Sequence, residues 1–151
     1  MQTKYAHTNL VAHDWRRLVE FYTTVFGCAL VPPERDYHGA GIEAATGIPG
    51  AHLQGARLRL PGYGEDGPTL EIFHYDTLAP VGTRAVNRPG FAHIAFEVDN
   101  VTQAREHVLA QGGHAIGEVV TLTTKAGRRV TFCYVSDPEG NGIELQRWSP
   151  A

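Results

Sequence analysis

Cysteine, net charge and long apolar runs are all scarce in this chain, and each shortage excludes a class of protein. Among 151 residues the only thiols are Cys28 and Cys133. They are too few and too far apart in sequence to frame a disulfide scaffold or a thiolate zinc site. They read instead as reduced, buried packing residues. The formal net charge is −3 and no basic stripe is present, which argues against nucleic acid as a partner. No apolar run approaches the length needed to cross a bilayer, so no membrane association is expected. The opening MQTKYAHTNL lacks the apolar segment of a secretory signal. A cytoplasmic protein is therefore the expectation.

What is present is an ordinary globular composition, 42% hydrophobic and 19% charged, enough to build one domain around a real core. The eight histidines raise the question of metal.

Two of those histidines open a repeat. Residues 6–15 read AHTNLVAHDW and residues 92–101 read AHIAFEVDNV. The offset is 93 − 7 = 86 for the histidines and 100 − 14 = 86 for the helix-capping residues. Lys4–Ala12 alternates like a strand. Asp14 then caps a helix whose stripe is Leu18, Phe21, Tyr22, Val25 and Phe26, and Gly27 suits its left-handed end. CALVPP reads as a short strand stopped by Pro32-Pro33. Residues 34–52 read as an irregular loop or a short helix. Gln54–Leu60 alternates, with Ala56, Leu58 and Leu60 opposite Arg57 and Arg59. Thr69–Tyr75 is the next strand, and residues 76–90 form a linker.

The second half repeats the order. Phe91–Val98 is a strand, and Asn100 or Asp99 caps a helix ended by Gly112-Gly113. Strands follow at Ile116–Val120, Val130–Val135 and Ile143–Trp148, with SDPEGNG as the last turn. The expected fold class is α+β, two tandem βαβββ modules at about 4–75 and 91–148 within a single domain spanning 1–151.

Glu71 and Glu144 each stand alone among apolar neighbours in the last strand of a half. A buried carboxylate is tolerated when it binds a cation. Two imidazoles and two carboxylates suit Zn²⁺, Ni²⁺, Co²⁺, Mn²⁺ or Fe²⁺. A strand histidine satisfied by hydrogen bonds, or a charge guarding a sheet edge, is the bland alternative. The symmetry of the two pairs favours metal. His74 falls on the face opposite Glu71. His13, His38, His52, His107 and His114 lack patterned partners and read as solvated or loop positions.

The order of elements, together with AHTNLVAHDWRRLVEFYTTVFG, GFAHIAFEVDNV and the late SDPEGNGIELQRW, closely resembles the vicinal oxygen chelate superfamily over nearly the whole chain. That group includes glyoxalase I, methylmalonyl-CoA epimerase, extradiol dioxygenases and bleomycin-resistance proteins. The resemblance implies a curled mixed sheet around a metal-binding cleft, with His7, Glu71, His93 and Glu144 as ligands. It implies metal-stabilised enediolate chemistry on a small carbonyl substrate, of the glyoxalase or epimerase kind, with Glu144 as base and Glu71 as its counterpart. Asn9, Arg57, Arg59, Phe73 and Tyr75 would share the cleft face, and an arginine there would hold a substrate carboxylate or phosphate. A homodimer is a family expectation. The competing readings are a metal-free drug-binding protein and a dioxygenase, whose iron site would use one carboxylate rather than two.

Overall fold

The computed structural model describes residues 1–150. Contacts divide the chain into two compact units, Met1–Pro80 and Val81–Ala151. The division falls inside the linker expected at 76–90.

The first unit opens with β1 (His7–Val11) and α1 (Trp15–Phe26). Asp14 caps α1 by accepting the Arg17 amide at 3.1 Å, and Gly27 closes it at φ 67°. Strand β2 (Ala29–His38), helix α2 (Ala40–Thr46), β3 (His52–Arg59) and β4 (Thr69–Tyr75) follow. The sheet order is β1-β4-β3-β2, with β1 parallel to β4 and the other pairs antiparallel. Helix α1 packs on β3 and β4. Leu18, Phe21 and Tyr22 from the helix meet a sheet face carrying Ala56, Leu58, Leu70 and Ile72, all buried.

The second unit holds β5 (His93–Glu97), α3 (Val101–Ala110), β6 (His114–Ala115), β7 (Val120–Thr123), β8 (Arg129–Ser136) and β9 (Gly142–Ser149). Its order is β5-β9-β8-β6, with β7 also on β8 and β5 parallel to β9. Asn100 caps α3 through the Gln103 amide at 3.0 Å. Helix α3 packs on β8 and β9, where Val108, Val135, Ile143 and Leu145 are buried. The 86-residue offset survives in three dimensions: β1 and β5 begin at 7 and 93, α1 and α3 at 15 and 101.

Two sequence expectations need correction, and a third is met in part. Pro32-Pro33 does not stop the second strand; β2 continues to His38. It is an edge strand, and its pairing with β3 shifts between Val31 and Arg35. Prolines are tolerated where ladder bonds are interrupted. Residues 34–52 hold the end of β2, the short helix that was one of the two readings offered, a turn and the first residue of β3. The strand placed at Ile116–Val120 is instead two pieces, β6 and β7. From Ala115 to Val120 is five steps (120 − 115) but their partners Val135 and Phe132 are three apart (135 − 132). The surplus bulges out around Gly117, a local interruption of the ladder.

Cys28 and Cys133 are free and buried. Burial pushes the Cys28 thiol up to about 11, partly offset by a backbone hydrogen bond, and raises Cys133 as well. Because the shift disfavours the thiolate, iodoacetamide should modify Cys28 negligibly at neutral pH in the folded protein, more with each added pH unit, and readily once unfolded. Mass spectrometry of the native and denatured reactions checks this.

Candidate metal centre

Both histidine–glutamate pairs are built by the same backbone device. In the first unit, parallel strands β1 and β4 place Asn9 opposite Glu71. In the second, β5 and β9 place Ala95 opposite Glu144. The histidine thus precedes the glutamate's partner by two residues in each case. Alternation puts residues two apart on the same face, so each imidazole leans over its carboxylate. His7 Nε2 lies 3.4 Å from Glu71 Oε2, and His93 Nε2 lies 3.0 Å from Glu144 Oε2. Both carboxylate side chains are 17% exposed, whereas His7 and His93 are 46% and 30% exposed. Glu71 and Glu144 occupy interior strands, β4 and β9, so an edge-guarding role does not describe them.

The surroundings of the pairs differ. Across β3, Arg57 faces Glu71, with Arg59 two residues along on the same face. Across β8, Tyr134 faces Glu144, and Phe132 is its neighbour. The register puts Asn9, Arg57, Arg59, Phe73 and Tyr75 on the Glu71 face. The Asn9 amide donates to the Glu71 carbonyl at 3.4 Å. A cavity of about 320 Å³ opens beside His7, and its lining includes Lys4, Arg57 and Arg59 as well as Glu65 and Asp66. Arg57 Nε is buried without a hydrogen-bond partner. Tyr134, which the sequence reading passed over, sets its ring 5.2 Å from that of His93. Only the β8–β9 register reveals it, since it lies ten positions from Glu144 in sequence.

Gly142 sits opposite His93 in the parallel pair. A Cβ there would fall 2.4 Å from the Ala92 carbonyl oxygen and 3.3 Å from His93 Cβ. The Gly142→Ala variant should therefore displace β5 and His93, costing about 1–3 kcal/mol as an overpacked site. Thermal unfolding beside metal titration checks the prediction; an unchanged melting temperature and affinity would contradict it.

A second group of metal-ligating side chains lies elsewhere in the first unit. Asp36, His38 and His52 come together there, although His38 and His52 had read as solvated or loop positions. Asp76 and then Asp36 raise the His52 pKa through hydrogen bonds, while Gln54 and His52 lower that of Asp36.

The family model for the Glyoxalase/Bleomycin resistance protein/Dioxygenase superfamily matches residues 4–145, and the chain belongs to this superfamily. A lactoylglutathione lyase of Neisseria meningitidis is 30% identical over 142 residues, covering 92% of this chain and 86% of the relative. One from Escherichia coli O157:H7 is 30% identical over 140 residues, covering 92% and 88%. Among solved structures, a glyoxalase family protein from Bacillus cereus superposes with a TM-score of 0.80 at 18% identity, over 98% of this chain and 95% of that one. A glyoxalase I mutant from Zea mays gives 0.64 at 18% identity, over 94% of this chain and 45% of the maize chain. These structural matches establish the glyoxalase fold. Among the described residues, no helix is long and apolar enough to cross a membrane.

Proposed function

We propose that this protein is a divalent-metal-dependent lyase of the glyoxalase I kind, moving a proton between adjacent carbons of a small carbonyl substrate such as a hemithioacetal. The observation that carries the reading is the pair of histidine–glutamate contacts repeated in the same register. The reading requires His7, Glu71, His93 and Glu144 to share one cation. The donor set suits a borderline dication. At metal–ligand distances of about 2.0–2.2 Å, neighbouring donors sit about 2.8–3.6 Å apart for angles between square and tetrahedral. The separations of 3.4 and 3.0 Å fit that span. The similarity to lactoylglutathione lyases adds support.

When bound, the cation would supply positive charge to offset the negative charge developing on two neighbouring substrate oxygens. Glu144 accepts the proton from the carbon beside the carbonyl and returns it to the adjacent carbon. Glu71 occupies the corresponding position in the first unit. Tyr134 packs on the His93 ring and limits its rotation. Arg57, Arg59 and Lys4, which line the cavity beside His7, suit a carboxylate on the substrate.

The test is to strip the protein with chelator, reload it with Ni²⁺, Zn²⁺, Co²⁺ or Mn²⁺, and count the metal retained. Deuterium exchange beside the carbonyl is then followed on the hemithioacetal of methylglyoxal and glutathione. Metal retention that depends on His7 and His93, together with exchange, is expected. No such retention with any of these ions would overturn the reading in favour of a metal-free binding protein. Retention without exchange would keep the metal and remove this substrate.

A further inference from the structure

The geometry points to a second divalent-cation site, formed by Asp36, His38 and His52 and backed by Asp76. It uses none of the residues of the proposed reaction. Its members lie at the far end of the first sheet, where β2, β3 and β4 finish side by side. His38 pairs with His52, Asp36 with Gln54, and Leu53 with Tyr75 next to Asp76. By alternation His52 shares the helix-covered face with Ala56 and Leu58, opposite the face of Glu71. Glu71 and Asp76 are five residues apart along one extended segment, about 17 Å at strand rise.

The contacts bring together donor atoms that a cation could share. Asp76 Oδ2 accepts a hydrogen bond from His52 Nδ1 at 2.8 Å. The other ring nitrogen, Nε2, lies 2.9 Å from Asp36 Oδ1, a separation that suits two donors on one cation as well as a hydrogen bond. Gln54 Nε2 meanwhile donates to the other Asp36 oxygen, Oδ2, at 3.0 Å, and so holds the carboxylate in place. His38 Nδ1 approaches the same Asp36 Oδ1 at 3.4 Å. That is long for a good hydrogen bond but ordinary for two donors on one metal. A second proton on each ring would bridge these contacts singly. A dication bridges them together while also engaging His38, and it meets the two negative charges of Asp36 and Asp76.

The three ligand atoms lie within 4.8 Å of one another, and His38, 74% exposed, is free to close the remaining gap by rotation. The carboxylate behind Nδ1 is the usual outer partner of a metal-bound histidine, fixing the tautomer and raising ligand basicity. Two imidazoles and one carboxylate select Zn²⁺, Co²⁺, Ni²⁺ or Cu²⁺ over Ca²⁺ or Mg²⁺. The cation would tie the end of edge strand β2, beyond its interrupted pairing, to β3.

The test starts from the His7→Ala/His93→Ala variant, which removes the other candidate centre. Titrated with Zn²⁺ and Co²⁺, it should still bind about one ion per chain, and Co²⁺ should give the visible absorption of a protein-bound ion. Zn²⁺ should slow amide exchange over residues 35–38. Adding Asp36→Asn, or His38→Ala with His52→Ala, should abolish binding. Asp76→Asn should weaken it by about 10–100-fold. Circular dichroism confirms that each variant is folded, and Asp36→Asn preserves the side-chain shape if the double alanine change does not fold. In the otherwise wild-type protein, the His38→Ala/His52→Ala change should leave proton exchange intact. Binding that is absent from the starting variant, or indifferent to Asp36, His38 and His52, would overturn the proposal and reduce the group to an ion-pair network.

Discussion

Replacing Glu144 by glutamine is expected to slow proton abstraction by about 10²–10⁴-fold, the usual contribution of a positioned general base. Glutamine keeps the shape of the side chain but has no carboxylate to take the proton. The backbone around it should not move, because Ile143 and Leu145 on either side are fully buried and hold β9 in the core. The measurement is kcat at saturating metal and substrate, with metal content determined alongside, since the amide is also a poorer ligand. Glu71→Gln is the paired control. Glu71 stands in the same register to its histidine as Glu144 does, so the near symmetry makes the comparison informative. A larger loss at Glu71 would exchange the two roles. Wild-type turnover in both variants would remove both glutamates from the proton transfer.

The second large effect is expected at Asp137, in the turn that leads into β9. This carboxylate is fully buried. Its Oδ1 accepts the backbone amides of Glu139 and Asn141, each at 2.9 Å, and its Oδ2 accepts the Asn141 side chain at 2.7 Å. Asn141 is held in turn by Arg84 Nη1 at 2.6 Å, which fastens part of the linker to the turn. The Asp137→Ala variant would strand these donors in a region with little water. Hydrogen bonds to charged groups contribute about 1.5–3 kcal/mol each and are not additive, so a loss of about 3 kcal/mol is expected. For a chain of this size that lowers the melting temperature by roughly 10 °C. Asp137→Asn should cost less, since one amide oxygen can still accept. Equal stability of Asp137→Ala and wild type in thermal and urea unfolding would contradict the assignment. The turn matters to the site because it sets where β9 begins, two residues before Glu144.

The glyoxalase fold was legible because its signals are local. Asp14 and Asn100 are caps whose chemistry needs only the next helical turn, and each accepts a backbone amide through its side-chain oxygen, as expected. TLEIFHY alternates over its whole length, and β4 has the limits the alternation predicted. The constant offset of 86 joined the two halves without reference to any contact. The misread segments are those where pairing overrides local preference. Pro32-Pro33 ends a strand only if its missing amide is needed for the ladder, and at an edge strand with a register shift it is not. The same reading hid Asp36 and His38, because a segment taken as an irregular loop or a short helix offers no strand face on which to meet His52.

By itself, the sequence determined the duplicated order of elements, the two core faces, and which histidine and which glutamate each half offers. These follow from period and composition, which act over a few residues. Only the tertiary structure decided the strand registers, because register is a relation between distant segments set by packing and hydrogen bonding together. Register is what brings His7 to 3.4 Å from Glu71 and His93 to 3.0 Å from Glu144. It also sets Arg57 against one glutamate and Tyr134 against the other, and it brings Asp36 and His38 of β2 to His52 of β3.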